Sequence, residues 1–251
     1  MFRRFPLLLA ALTLPLAAQA QNRPPVQLPP TMRVPARTPA PIEKQPFAAE
    51  IAAFEARDAL AHPAKGGVLF LGSSSIRMWT DVAHDFPGMK VLNRGFGGST
   101  IPDSVRYLDR IVIPYAPKTI VFYAGDNDLE AGHSPEQVAG DFQMLVSKVH
   151  AKLPRTRILF ISIKPSLSRW KLIEQIRATN ALVLGYVATD PALTYVDIVP
   201  AMLGPDGKPR PELFREDGLH MTRAGYDIWR KAVAKALKAK PAPAILTPPA
   251  G

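Results

Sequence analysis

Four short motifs hold residue types that can do chemistry, and each stands where an apolar segment ends. They are Gly72-Ser73-Ser74-Ser75, Asn93-Arg94-Gly95-Phe96-Gly97-Gly98, Gly125-Asp126-Asn127-Asp128 and Asp217-Gly218-Leu219-His220. In chain order they supply serine hydroxyls, glycine-rich backbone that can approach a ligand, a side-chain amide, and an aspartate three residues before a histidine. A serine activated by imidazole, with N–H donors for the negative charge that develops, is the equipment for nucleophilic attack on a carbonyl carbon.

Each motif also has a plainer use. Serines before a helix are usually caps, but Ser74 lies two residues past the first apolar run, at a glycine turn where a helix begins. There its backbone N–H can face an anion. Gly95, Gly97 and Gly98 suit any sharp turn; a dinucleotide fingerprint is excluded because the spacing is Gly-x-Gly-Gly with no acidic residue at the expected remove. Asn127 follows the buried-strand sequence Thr-Ile-Val-Phe-Tyr-Ala, and its amide can point at developing negative charge. Alternating Asp126, Asp128 and Glu130 suggest a calcium loop, but Ala131 occupies the required glycine position and Gln137 the terminal glutamate position. Asp217 is close enough in sequence to accept from His220 Nδ1–H, leaving Nε2 for the serine proton. His62, His84, His133 and His150 read as surface or structural groups, with no zinc-like set among them, and neither metal nor cofactor is expected.

Taken together, the four motifs resemble the SGNH, or GDSL-type, hydrolase family over roughly Val68 to Leu237. The resemblance implies Ser74 as nucleophile, His220 with Asp217 as the base and its partner, and Ser74, Gly98 and Asn127 as the oxyanion hole. Ser73 stands where the family commonly has aspartate; Gly72 sets the register in favour of Ser74. The flanking pattern is Gly-x-Ser-x-Ile, so the glycine-flanked nucleophile elbow is absent. What the resemblance implies is a serine esterase working through an acyl-serine. A carbohydrate O-acetylesterase or O-acetyltransferase would use the same residues, and a non-catalytic glycan- or envelope-binding module is the alternative outside enzymes. Arg169 and Trp170, just past the fourth apolar run, are the candidates for substrate contact. Trp79, Trp170 and Trp229 read as core or rim packing in preference to a sugar platform.

These motifs must be positioned by the elements between them. Short β-branched runs alternate with longer amphipathic ones, the pattern of a mostly parallel sheet covered by helices. Strands are predicted over Val68 to Leu71, Lys90 to Asn93, Thr119 to Ala124, Arg157 to Ile163 and Thr194 to Ile198. Helices are predicted over Phe47 to Ala61, Ser75 to Ala83, Pro102 to Ile113, Pro135 to Leu153, Lys171 to Thr189 and Thr222 to Lys238. The expected architecture is an α/β three-layer sandwich with a five-stranded sheet and helices on both faces, the flavodoxin-like fold that the family resemblance also implies. In such a sheet ligands sit at the carboxyl ends of the strands, where three of the motifs begin.

The termini read differently. Met1-Phe2-Arg3-Arg4, an apolar stretch from Phe5 to Leu16 and Ala18-Gln19-Ala20 form a secretory signal peptide over 1–20, with a mature start expected at Gln21. Residues 21–46 are a proline-rich linker, 47–240 the hydrolase domain and 241–251 a proline-rich tail. The chain of 251 residues has no cysteine, so neither a disulfide nor a lipobox anchor is available, and export leads to periplasm or medium. Its formal charge of +10 falls by two when Arg3 and Arg4 leave. That charge suits weak association with an acidic envelope through the linker. No basic cluster with interleaved aromatics marks a nucleic-acid partner, and the expected ligand is a small ester or an acylated glycan.

Overall fold

The computed structural model describes residues 45–239. The predicted signal peptide and tail, and the linker up to residue 44, lie outside the described residues. Five strands form one sheet in the order β2-β1-β3-β4-β5, every neighbouring pair parallel. They are β1 (Val68–Gly72), β2 (Val91–Gly95), β3 (Thr119–Tyr123), β4 (Arg157–Ile161) and β5 (Leu193–Val196). The helices are α1 (Ala48–Ala61), α2 (Ser74–Arg77), α3 (Val82–Asp85), α4 (Ile101–Ile111), α5 (Asp126–Glu130), α6 (Pro135–Lys152), α7 (Ile173–Val187), α8 (Val199–Met202) and α9 (Arg223–Lys238).

Alternation along the strands separates two apolar cores. Leu69, Leu71, Ile120, Phe122, Ile158 and Phe160 point to the face covered by α1, α4, α6 and α7. Their neighbours Phe70, Val121, Tyr123, Leu159 and Ile161 point to the other face, where Trp79, Tyr226 and Trp229 pack. Both faces being buried, the strands read as continuous apolar runs. Trp79 stacks on Tyr226 at 5.3 Å between ring centroids and meets Trp229 edge-on at 6.0 Å, which gives both indoles the packing role expected of them.

Three expectations need correction. The helix predicted over Ser75 to Ala83 is two four-residue pieces, α2 and α3. Asn93 Nδ2 donates to Ile76 O at 2.8 Å and Trp79 O at 3.4 Å, taking carbonyls that a continuing helix would use. β4 stops at Ile161 rather than Ile163, because the Asn180 side chain accepts from Ile163 N–H and donates to Ile163 C=O. Likewise β5 ends at Val196, and Ile198 N–H is taken by Ser162 Oγ. Side chains thus end these strands early and free the following segments to enter the cleft. A further difference is the short helices α5 and α8, absent from the sequence reading because each is about one turn long and carries no measurable periodicity.

Strand order reverses at β1 and β3, since the chain steps from β1 outward to β2 and then back across to β3. A crevice opens at such a point, at the carboxyl ends of the strands.

Candidate active site

Ser74 is the first residue of α2, immediately beyond β1. The turn that presents it requires Gly72. Its φ is +146°, and an added Cβ would stand 1.9 Å from Tyr123 O on the neighbouring strand. Ser74 Oγ lies 3.0 Å from His220 Nε2, and His220 Nδ1 lies 2.6 Å from Asp217 Oδ2. The other carboxylate oxygen of Asp217 accepts from the N–H groups of Leu219 at 2.9 Å and His220 at 2.8 Å. Burial works to raise the Asp217 carboxyl, but the imidazole and the two backbone donors outweigh it and hold it down at about 2. An ionised carboxylate on Nδ1 keeps the proton there and the Nε2 lone pair toward Ser74.

The three serines have different surroundings. Ser73 is buried and caps nothing, and Ser75 Oγ accepts from Lys164 Nζ at 3.2 Å. Only the Ser74 hydroxyl, of the three, meets His220. The short α2 supplies less aligned dipole than the longer helix expected from the sequence. Thr222 stands at the N-cap of α9, though its hydroxyl donates to Glu212 O instead of capping that helix.

The glycines after β2 divide their work. At Gly95 a Cβ would meet Arg77 N at 2.1 Å, so this residue lets β2 pass against α2. Gly97 N–H donates to Glu50 at 3.0 Å. Gly98 is exposed, and a methyl group there would stand 4.0 Å from Asn127 Nδ2. The structure therefore sets the backbone at Gly98 beside the amide of Asn127.

Beneath the site is a polar cluster that motif reading missed. Lys164 is fully buried and donates to Asp126 at 2.8 Å, Tyr123 OH at 3.0 Å and Ser75 Oγ. Burial works to raise the Asp126 carboxyl, but Lys164 and Arg169 prevail and lower it, so it sits there as a carboxylate. The available signal was a lysine directly after the mostly apolar run Ile158 to Ile163. Arg169 is turned inward: its guanidinium donates to Asn127 Oδ1 at 2.8 Å and lies 3.2 Å from Asp126. Trp170 is half-buried and opens a 3-10 turn, Trp170–Leu172. His133, read from the sequence as a lone surface group, stands with Asp128 and Asp141, their ligand atoms within 4.8 Å of one another. One Asp128 oxygen is already taken by Ile101 N–H at 2.9 Å, and we assign no ion to the group.

A serine hydroxyl, an imidazole and a carboxylate stand in hydrogen-bonded series at the carboxyl ends of a parallel sheet, an arrangement able to activate a serine. Residues 67–228 match the GDSL-like Lipase/Acylhydrolase family, and the chain belongs to it; it is a hydrolase acting on esters. Platelet-activating factor acetylhydrolase IB subunit alpha1 of Bos taurus is 27% identical over 168 residues, covering 63% of this chain and 69% of the relative. A GDSL-like lipase from Bacteroides thetaiotaomicron has a similar fold, with a TM-score of 0.63 at 20% identity, covering 76% of this chain and 98% of that one. A variant of an acetyl-xylooligosaccharide esterase from Geobacillus Stearmophilus matches with a TM-score of 0.57 at 16% identity, covering 71% and 97%. Among the described residues no helix is long and apolar enough to cross a membrane.

Proposed function

We propose that the protein is an exported esterase of short-chain carboxylic esters that works through an acyl-serine. The observation that carries the reading is the series Ser74 Oγ, His220, Asp217, at 3.0 and 2.6 Å. Ser74 Oγ attacks the acyl carbon while its proton passes to His220 Nε2. The carbonyl electron pair moves onto oxygen, where Ser74 N–H, Gly98 N–H and the Asn127 amide receive the negative charge. Collapse expels the alcohol, which takes the proton from His220, and leaves Ser74 acylated. Water then gives a proton to His220 and its oxygen to the acyl carbon; collapse breaks the bond from Ser74 Oγ to that carbon, Oγ takes the proton back from His220, and the carboxylic acid leaves.

Two observations favour a short acyl group. The connections between motifs leave little chain for a lid over a long tail. The bovine relative is an acetylhydrolase and the esterase of similar fold acts on acetylated sugars, so acetyl is the acyl group to test first. An acetylated glycan is the second reading, with a sugar hydroxyl replacing water if the acyl group is passed on. The basic, proline-rich sequence of residues 21–46 fits weak association with an acidic envelope.

Turnover of nitrophenyl acetate, butyrate and octanoate is the direct test, followed by acetylated oligosaccharides with and without acceptor. Activity should fall from acetate to octanoate. Preference for octanoate would overturn the short-acyl reading, and no turnover of any ester would overturn the catalytic one. Transfer of label to the acceptor would identify a transferase.

A further inference from the structure

Resting on the esterase reading, we propose that Arg169 is a positioning residue that fixes the Asn127 carboxamide with its N–H, and not its oxygen, toward the developing oxyanion. A carboxamide has two ends of almost the same shape and opposite polarity. A half-turn about its last bond would exchange a donor for an acceptor and place a partial negative charge beside the negative charge of the intermediate. Asn127 is therefore useful in one orientation and harmful in the other.

Both ends are held by partners that can play only one part. Asn127 Nδ2 donates to Ser99 C=O at 3.0 Å, and a carbonyl can only accept. Asn127 Oδ1 accepts from Arg169 at 2.8 Å, and a guanidinium can only donate. Turning the amide would set N–H groups against the guanidinium and the oxygen against the Ser99 carbonyl. In the orientation observed, one Nδ2 hydrogen goes to Ser99 and the other remains for the substrate.

The guanidinium is itself fixed from behind. Arg169 lies 3.2 Å from Asp126, which Lys164 binds from the buried side at 2.8 Å, and the Arg169 side chain is 13% exposed. Lys164 in turn binds Ser75, the residue after Ser74. One chain of charge-assisted contacts thus joins the oxyanion-hole amide to the turn that holds the serine. Two cations, Lys164 and Arg169, share the Asp126 carboxylate, and Arg169 also lies 3.9 Å from Glu130. The planar fork of arginine can serve Asn127 and Asp126 at once, which a single ammonium cannot do in the same geometry.

The test uses nitrophenyl acetate, with a phosphonate to count active serines, on the wild-type chain, Arg169→Lys, Arg169→Met, Asn127→Ala and the double variant Arg169→Met/Asn127→Ala. Arg169→Met should lower kcat by about ten- to a hundredfold with KM within about threefold, because it releases the amide without removing it. On the Asn127→Ala background the same change should cost no more than about twofold, since its target is gone. Equal losses on both backgrounds, or a raised KM with unchanged kcat, would overturn the proposal in favour of a separate role or a substrate contact. Should Arg169→Met reduce the soluble yield, Arg169→Lys keeps the charge beside Asp126 but lacks the fork, and its kcat should still fall about tenfold; full kcat there overturns the proposal. A wild-type chain that neither turns over ester nor takes the phosphonate sinks the esterase reading, and this proposal with it. Full activity of both Arg169 variants against an active wild type sinks this proposal alone.

Discussion

At the scale of single residues, the chemistry assigned to the site rests on one hydroxyl among three adjacent ones. Ser74→Ala should abolish ester turnover and phosphonate labelling, whereas Ser73→Ala should keep both, because Ser73 Oγ is buried away from His220. A labelled peptide carrying Ser73 would move the assignment by one position. Asp217, held at about 2, stays ionised across the range in which an esterase is assayed. The imidazole beside it must be neutral to take the Ser74 proton. Asp217→Asn should lower kcat/KM strongly, since a neutral partner no longer holds the proton on Nδ1 and the Nε2 lone pair toward Ser74. An unchanged kcat/KM in Asp217→Asn would show that the carboxylate is not needed to set the imidazole.

At the scale of elements, the site depends on turns that force each motif into place, and the tightest is at Gly72. Gly72→Ala would drive a methyl group to 1.9 Å from Tyr123 O, backbone of the adjacent strand, at a φ that side chains avoid. A loss of at least ~2 kcal/mol, seen as a lower denaturation midpoint, is expected; an unchanged midpoint would show that β1 can shift away from β3. α4 holds the opposite kind of device. Asp128 receives Ile101 N–H at its first turn while burial, the larger influence, pushes the carboxyl up to about 6, with Asp126 and Asp141 adding to the rise and His133 close by. A carboxyl raised in the folded state favours folding while protonated, so its contribution is full below the unfolded value near 4 and is lost as pH climbs to about 6. Asp128→Asn keeps an oxygen for Ile101 and cannot ionise. Its midpoint should gain on the wild type between about pH 4 and 6 by up to ~3 kcal/mol and stay level above that; a difference independent of pH would show that Asp128 is not strained by its charge. These elements also show what sequence could reveal. All five strands and the long helices were readable from apolar runs and periodicity, whereas the break after α2 was not, because it comes from Asn93, a residue on another strand. The motifs placed Ser74, Gly98, Asn127, Asp217 and His220 on loops that could converge; the structure joins Ser74, His220 and Asp217 by hydrogen bonds and sets Gly98 beside the Asn127 amide. Lys164 and the inward turn of Arg169 escaped because their partners are 38 and 42 residues away in sequence.

At the scale of the whole molecule, what remains is where the folded unit starts and how much of the chain the chemistry needs. Residues 21–41 are proline-rich without apolar periodicity, and we propose from that sequence that the folded unit does not need them. From Pro46 onward the situation changes. Tyr107 OH donates to Pro46 O, Phe47 packs edge-on against Phe96 at 5.4 Å, and Glu50 holds the Gly97 N–H of the glycine loop. α1 is thus tied to the segment that carries Gly98, one residue beyond Gly97. Removal of residues 1–41 should leave kcat/KM on nitrophenyl acetate and the denaturation midpoint close to those of the chain starting at Gln21. Removal of residues 1–50 should lower the midpoint and cut kcat more than it alters KM, because the loop that positions an oxyanion donor loses its anchor. Circular dichroism melts alongside acetate kinetics on the two truncations would decide the matter. If the shorter deletion already destabilises the protein, the proline-rich segment packs on the domain, and if the longer one changes neither quantity, α1 is not what holds the Gly98 loop in place.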